Sequence, residues 1–218
     1  MDLIHGIYLY KIKSRRRKDC SEASNGFIRM DMVISESDGS KVVRPCLHSN
    51  IHYIEKKHLM DFTAMDDFFQ GNELIEKVGL DLFSWDKGKG TVIINEDVKY
   101  ECEIKKPHKY SEGNVVILTN IQKTDHGNNM GIEVMLVICL LMKLKNRIGW
   151  IVIPLDLDFD ISNINRDLMT RAMRFIECQT PGGNYLVWTN HDLEKVYDLN
   201  KLTMDNYIRK HYVDVKKA

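Results

Sequence analysis

The 218-residue chain balances 31 Lys and Arg against 31 Asp and Glu, and 44% of its residues are hydrophobic. Those proportions belong to an ordinary globular domain, and four prolines and thirteen glycines argue against low complexity. A net charge of zero is unlike a dedicated duplex-binding protein, so any contact with a polyanion must be local.

Residues 4–13 read as a strand, with alternation at Tyr8, Tyr10 and Ile12. A polar stretch over 14–26 reads as a loop. Residues 27–35 alternate again, and the turn-forming Ser37, Asp38 and Gly39 end them. The two strands are expected to pair as an antiparallel hairpin with a long connection. Over 55–83 the spacing of Leu59, Phe62, Met65 and Phe69, and then of Leu74, Ile75, Val78 and Leu82, predicts two helices broken near Gly71. Residues 91–94 and 98–104 flank Asn95, Glu96 and Asp97 and predict a β-hairpin. Residues 114–122 read as a strand. Residues 132–144 are nearly all apolar, and periodicity there does not separate a buried strand from a buried helix. Residues 148–155 read as a strand with Pro154 at its end. Residues 165–177 predict the clearest helix of the chain, with Leu168, Met169, Ala172, Met173, Phe175 and Ile176 on one side. Pro181, Gly182 and Gly183 break it, 185–189 follow as a strand, and a last helical region runs toward Lys210.

No internal repeat or composition shift divides the chain, so 1–218 reads as a single compact domain. Interspersed elements without strict βαβ alternation favour an α+β fold, a largely antiparallel sheet packed with several helices.

Five widely spaced cysteines, Cys20, Cys46, Cys102, Cys139 and Cys178, include no CxxC pair. They read as reduced thiols rather than zinc ligands or a disulfide framework. The first ten residues lack the basic and long apolar regions of a signal peptide, and the longest apolar run is far short of the ~20 residues of a spanning helix. The expected location is intracellular, in cytoplasm or nucleus, with no transmembrane segment.

The most unusual feature is Lys11-Ile12-Lys13-Ser14-Arg15-Arg16-Arg17-Lys18, of which six residues are cationic. At a strand end and in a loop these charges repel one another unless an anion lies nearby. Lys11, Lys13, Arg15, Arg16, Arg17 and Lys18 are therefore the candidate binding residues, for nucleic acid, an anionic membrane surface, an acidic protein or an import receptor. The competing reading is a solvated loop balanced by Asp19 and Glu22. A smaller basic cluster, Arg209, Lys210 and His211 with Lys216 and Lys217, lies near position 218.

Glu103 and Lys105 on one expected strand, preceded by Asp86, resemble in spacing the set used by metal-dependent nucleases of the PD-(D/E)xK type. There two carboxylates hold a divalent cation and the lysine steadies phosphoryl charge. Asp86, Glu103 and Lys105 are thus the catalytic set of an alternative reading, against which stands a pair of exposed strand charges. Asp156, Asp158 and Asp160 alternate and suit a hard cation, or equally a solvent face before a helix N-terminus. The histidine spacings match no zinc motif, and GxGxxG, GxxxxGK[ST] and Gly-x-Ser-x-Gly are all absent. No cofactor is expected.

Two segments carry a family resemblance: HGIYLYKIKSRRRK over 5–18, an aromatic strand running into the basic block, and AMRFIECQTPGGNYLVWTN over 172–190, read as amphipathic helix, Gly-centred turn and aromatic strand. Their order resembles that of rhabdovirus matrix proteins. The resemblance implies a compact α+β body that self-associates, with basic segments for membrane and nucleocapsid, although this chain is neutral and begins directly in a strand. The resulting expectation is a non-catalytic interaction or assembly protein, a viral matrix-like structural protein among them. It would use a basic patch for an anionic partner and its folded body for a protein partner or homo-oligomer. A surface-acting antagonist of a host protein is the further alternative.

Overall fold

The computed structural model describes residues 7–15, 27–37, 43–55, 73–86, 88–89, 91–100, 113–124, 136–137, 139–141, 144, 147–155, 166, 169–170, 173–190 and 214–217. Eleven strands and one continuous helix run through them in the order β1 (Ile7–Arg15), β2 (Phe27–Ser37), β3 (Val43–Ile54), α1 (Glu73–Leu82), β4 (Phe83–Asp86), β5 (Thr91–Ile94), β6 (Lys99–Tyr100), β7 (Asn114–Lys123), β8 (Ile148–Pro154), β9 (Ile176–Thr180), β10 (Gly183–Thr189) and β11 (Asp214–Lys217). Nine of the strands form one sheet in the order β11-β1-β2-β3-β7-β8-β10-β9-β6, and β4 pairs with β5 in a separate two-stranded sheet. Pairing in the large sheet is antiparallel except between β1 and β11 and between β7 and β8.

The expected α+β fold with several helices on a sheet is corrected by this arrangement. Strands make up 61% of the described part and helix 20%, which is a mainly β fold. The physical reason lies in how the central strands are buried. Val116, Leu118, Ile151, Ile153, Leu186 and Trp188 belong to one core cluster. Their neighbours Val115, Ile117, Trp150, Val152, Tyr185 and Val187 belong to a second. Successive side chains of a strand leave on opposite faces, so β7, β8 and β10 are buried on both sides and read as continuous apolar runs.

Among the described residues, few helical segments lie in the two cores. The first core also takes in Leu136, Val137, Cys139 and Leu140, which are helical, as are the other described residues of 132–144. Met169, Met173 and Phe175 join them. The second core is closed by α1 and the β4–β5 hairpin. Ile75, Val78 and Leu82 form the buried stripe of α1, and Phe83, Val92 and Ile94 continue it from the hairpin. Asn95 ends the helix. Its side-chain amide donates to the carbonyls of Leu80 and Asp81, each at 3.0 Å, and its backbone N–H donates to that of Leu82 at 2.9 Å. The last carbonyls of α1 are thereby satisfied. The Tyr185 hydroxyl donates to the Asp81 carboxylate at 2.5 Å and ties α1 to β10.

Three further expectations change. The hairpin expected over 91–104 forms one element earlier, because β5 pairs with β4 while Lys99 and Tyr100 of β6 pair with Gln179 and Cys178 of β9. The helix expected over 165–177 is present at Arg166, Met169 and Thr170, but Ile176 and Glu177 already lie in β9. Arg174 has a φ of 59° at this change of structure. Pro181 and Gly182 then form the turn of a β9–β10 hairpin, where the Thr180 hydroxyl accepts from the N–H groups of Gly182 and Gly183 at 3.2 and 3.1 Å. β3, which local patterning did not announce, pairs with β2 on one side and β7 on the other. The helix break at Gly71 and the last helical region before Lys210 lie outside the described residues.

Candidate anion-binding face

The hairpin of β1 and β2 forms as expected, with Ile7 opposite Ser37 and Arg15 opposite Arg29. Lys11, Lys13 and Arg15 occupy alternate positions of β1. In register across β2 they face Val33, Asp31 and Arg29 respectively. Opposite charges directly across a strand pair stabilise it, and like charges destabilise it. Lys13 is in register with Asp31, and Arg15 with Arg29.

β11 adds the second basic cluster to this flank. It pairs in parallel with β1, placing Lys216 beside Leu9 and Lys217 beside Tyr10. Residues two hundred positions apart in sequence thus lie on adjacent strands, separated by the roughly 4.8 Å of a β-sheet. Asp214 is in register with Ile7.

The face continues onto β3. Val33, Asp31 and Arg29 stand opposite His48, Asn50 and His52. Exposure falls along this strand, from exposed His48 through half-buried Asn50 to buried His52 and Ile54, where the second core begins. The His52 Nε2 lies 3.0 Å from the Thr119 hydroxyl, and the Ser49 hydroxyl donates to the Thr119 carbonyl at 3.2 Å. A bulge between His48 and Asn50 shifts the β3–β7 register. Asn120, on the β7 side of that bulge, has a φ of 50°, a conformation that asparagine tolerates better than most residues. Gln122, opposite His48, is exposed.

Arg16, Arg17 and Lys18 lie outside the described residues, as do Glu103, Lys105, Asp156, Asp158 and Asp160. Asp86 ends β4, and its carboxylate accepts from the N–H groups of Gly88 and Lys89 at 2.9 and 3.2 Å. It caps the β4–β5 turn. Among the described residues no group of three or more His, Cys, Asp or Glu is placed to hold a metal ion, and no helix is long and apolar enough to cross a membrane.

Cys46, Cys139 and Cys178 are buried reduced thiols. Burial pushes Cys139 up from 9.0 to about 12, and burial with the adjacent Glu177 charge does the same to Cys178. Both groups resist ionisation in the fold. Their protonated state favours folding below about pH 9, and that contribution is lost as pH rises from 9 toward 12. Iodoacetamide at pH 8 with peptide mapping should therefore leave Cys139 and Cys178 unmodified until denaturant is added. Alkylation at the rate of a small thiol in the native protein would contradict their burial.

Comparison with known proteins finds no family model, no curated protein and no solved structure that matches this chain. The segment 172–190 that carries the matrix-protein resemblance has, over its described residues 176–189, the order strand, turn, strand.

Proposed function

We propose that this protein is a non-catalytic interaction protein whose β11–β1–β2 flank docks an anionic partner, while its two-cored body provides the scaffold. One observation carries this reading: two basic segments far apart in sequence, 11–15 and 216–217, meet on neighbouring strands, with Arg29 on the next strand. Cations brought together by folding cost repulsion that an anion offsets, and acidic residues in this flank are fewer: Asp31 opposite Lys13, Glu36 opposite Tyr8 and Asp214 beside Ile7.

Heparin chromatography tests it. Replacing Lys13, Arg15, Arg16 and Arg17 together by serine should lower the salt needed for elution. Replacing Lys216, in register with Leu9 on the neighbouring strand, by serine should lower it further. Retention that ignores both sets of substitutions, or that does not depend on salt, would overturn the proposal.

A further inference from the structure

We infer that Trp150 and Thr189 together bind one buried water molecule between β8 and β10, on the side of the second core. The site lies away from the basic flank and does not depend on the anion-binding reading.

Trp150 is 0% and Thr189 2% exposed, and the indole Nε1 and the threonine Oγ1 find no hydrogen-bond partner among the described residues. Buried polar atoms of native proteins mostly have one, from protein or from ordered water. The two residues stand directly opposite each other in the β8–β10 ladder. Opposed residues of an antiparallel pair project from the same face, with Cβ atoms about 4.5–5.5 Å apart. The two orphaned groups are therefore neighbours on adjacent strands. The backbone beside them is satisfied, because the Asn190 N–H donates to the Gly149 carbonyl at 3.0 Å.

Water suits both groups. An indole N–H only donates, whereas a threonine hydroxyl donates and accepts. A water molecule accepts from the first and takes either role with the second, which gives it the two partners that a buried water needs at the least. A small anion also accepts from both groups, but a buried charge without a counter-charge is far more costly. The described surroundings offer no counter-charge. Val115 and then Ile54 continue the row on the other side of Trp150, and Phe83, Val152 and Val187 belong to the same core. On the β10 side the row ends at Thr189, since the β9–β10 ladder stops at Val187 opposite Ile176. The bridge gives Trp150 a polar anchor beside its edge-on contact with the Phe83 ring.

Thr189→Val tests the assignment, because valine keeps the shape of the side chain and removes the hydroxyl. Loss of a hydroxyl that holds a shared water should lower the melting temperature by about 2–6 °C. Loss of a hydroxyl buried without any partner would leave it unchanged or raise it. A high-resolution crystal structure of the full chain should show one solvent peak within about 3.2 Å of both Nε1 and Oγ1. The same peak should weaken or vanish in the Thr189→Val protein. An unchanged or higher melting temperature, or no peak touching both atoms in the unmodified chain, would overturn the proposal.

Discussion

Replacing Trp150 by alanine is expected to destabilise the protein by about 3–5 kcal/mol, the range for truncating a large buried aromatic. Trp150 is fully buried in β8, at the centre of the large sheet. Its neighbours across the strands are Val115 of β7 and Thr189 of β10. Its ring meets that of Phe83 edge-on, with centroids 5.5 Å apart and planes at 68°. Phe83 opens β4, so this contact joins the sheet to the hairpin layer that closes the second core. Truncation would remove the ring's buried area, open a cavity between the two layers and abolish an aromatic pair worth about 0.5–1.5 kcal/mol in its own right. The melting temperature should fall by roughly 6–20 °C for a chain of this size. Trp150→Phe should recover much of the loss. Leu80→Ala serves as the reference, because Leu80 is 54% exposed and its truncation should stay within about 0.5 kcal/mol. Equal effects at the two sites would refute the packing described.

Gly113→Ala is the second large effect, and its origin is the backbone. Gly113 stands immediately before β7 with a φ of 140°, a conformation that side-chain-bearing residues avoid. A Cβ placed there would lie 2.5 Å from the Gly149 nitrogen and 2.9 Å from its Cα. Those are main-chain atoms of the parallel neighbour β8, and they cannot swing aside as the tip of a side chain would. Backbone strain and overpacking of about 1–3 kcal/mol each make a total of roughly 2–6 kcal/mol. A Cβ on Gly149 meets Gly113 at 3.0 Å, so Gly149→Ala should cost less. Gly88→Ala meets only the Asp86 carboxylate, at 3.3 Å in an exposed turn, and should cost least. Chemical denaturation of the three variants checks the order. If Gly113→Ala proved the mildest, the close approach of β7 and β8 would be wrong.

Both positions show why local patterning reveals some elements and hides others. β1, β2, β7, β8 and β10 are legible because each carries its own apolar run or alternation. β3 is not. Its polar residues His48, Asn50 and His52 interrupt the apolar pattern although His52 is buried, Pro45 and Arg44 are exposed, and a bulge changes the phase of the strand midway. β9 is hidden for a different reason. Phe175 and Ile176 continue a helical period from Leu168, yet Ile176 to Thr180 gain hairpin partners in β10 and a further neighbour in β6. Tertiary pairing overrides so weak a local preference.

The candidate face divides in the same way. Its cationic residues are visible in the sequence as a cluster at 11–18, with Lys11, Lys13 and Arg15 at alternate positions. Asp86 was expected only as part of an alternative catalytic set, and its capping of the turn through Gly88 and Lys89 comes from the structure. That Arg29 stands across from Arg15, and that Lys216 lies beside Leu9, depends on register and on a parallel pairing with β11.

The sequence by itself determined the balance of charge, the concentrated basic block and the apolar segments that must become the core. These follow from composition and from the two- and 3.6-residue periods, which act within a few residues. Only the tertiary structure decided that the fold is mainly β, that its central strands are covered on both faces, and that two basic segments share one flank. Those outcomes depend on which distant strands pair, and that choice is made by burying apolar surface across the whole chain, a term to which no short stretch of sequence holds the answer.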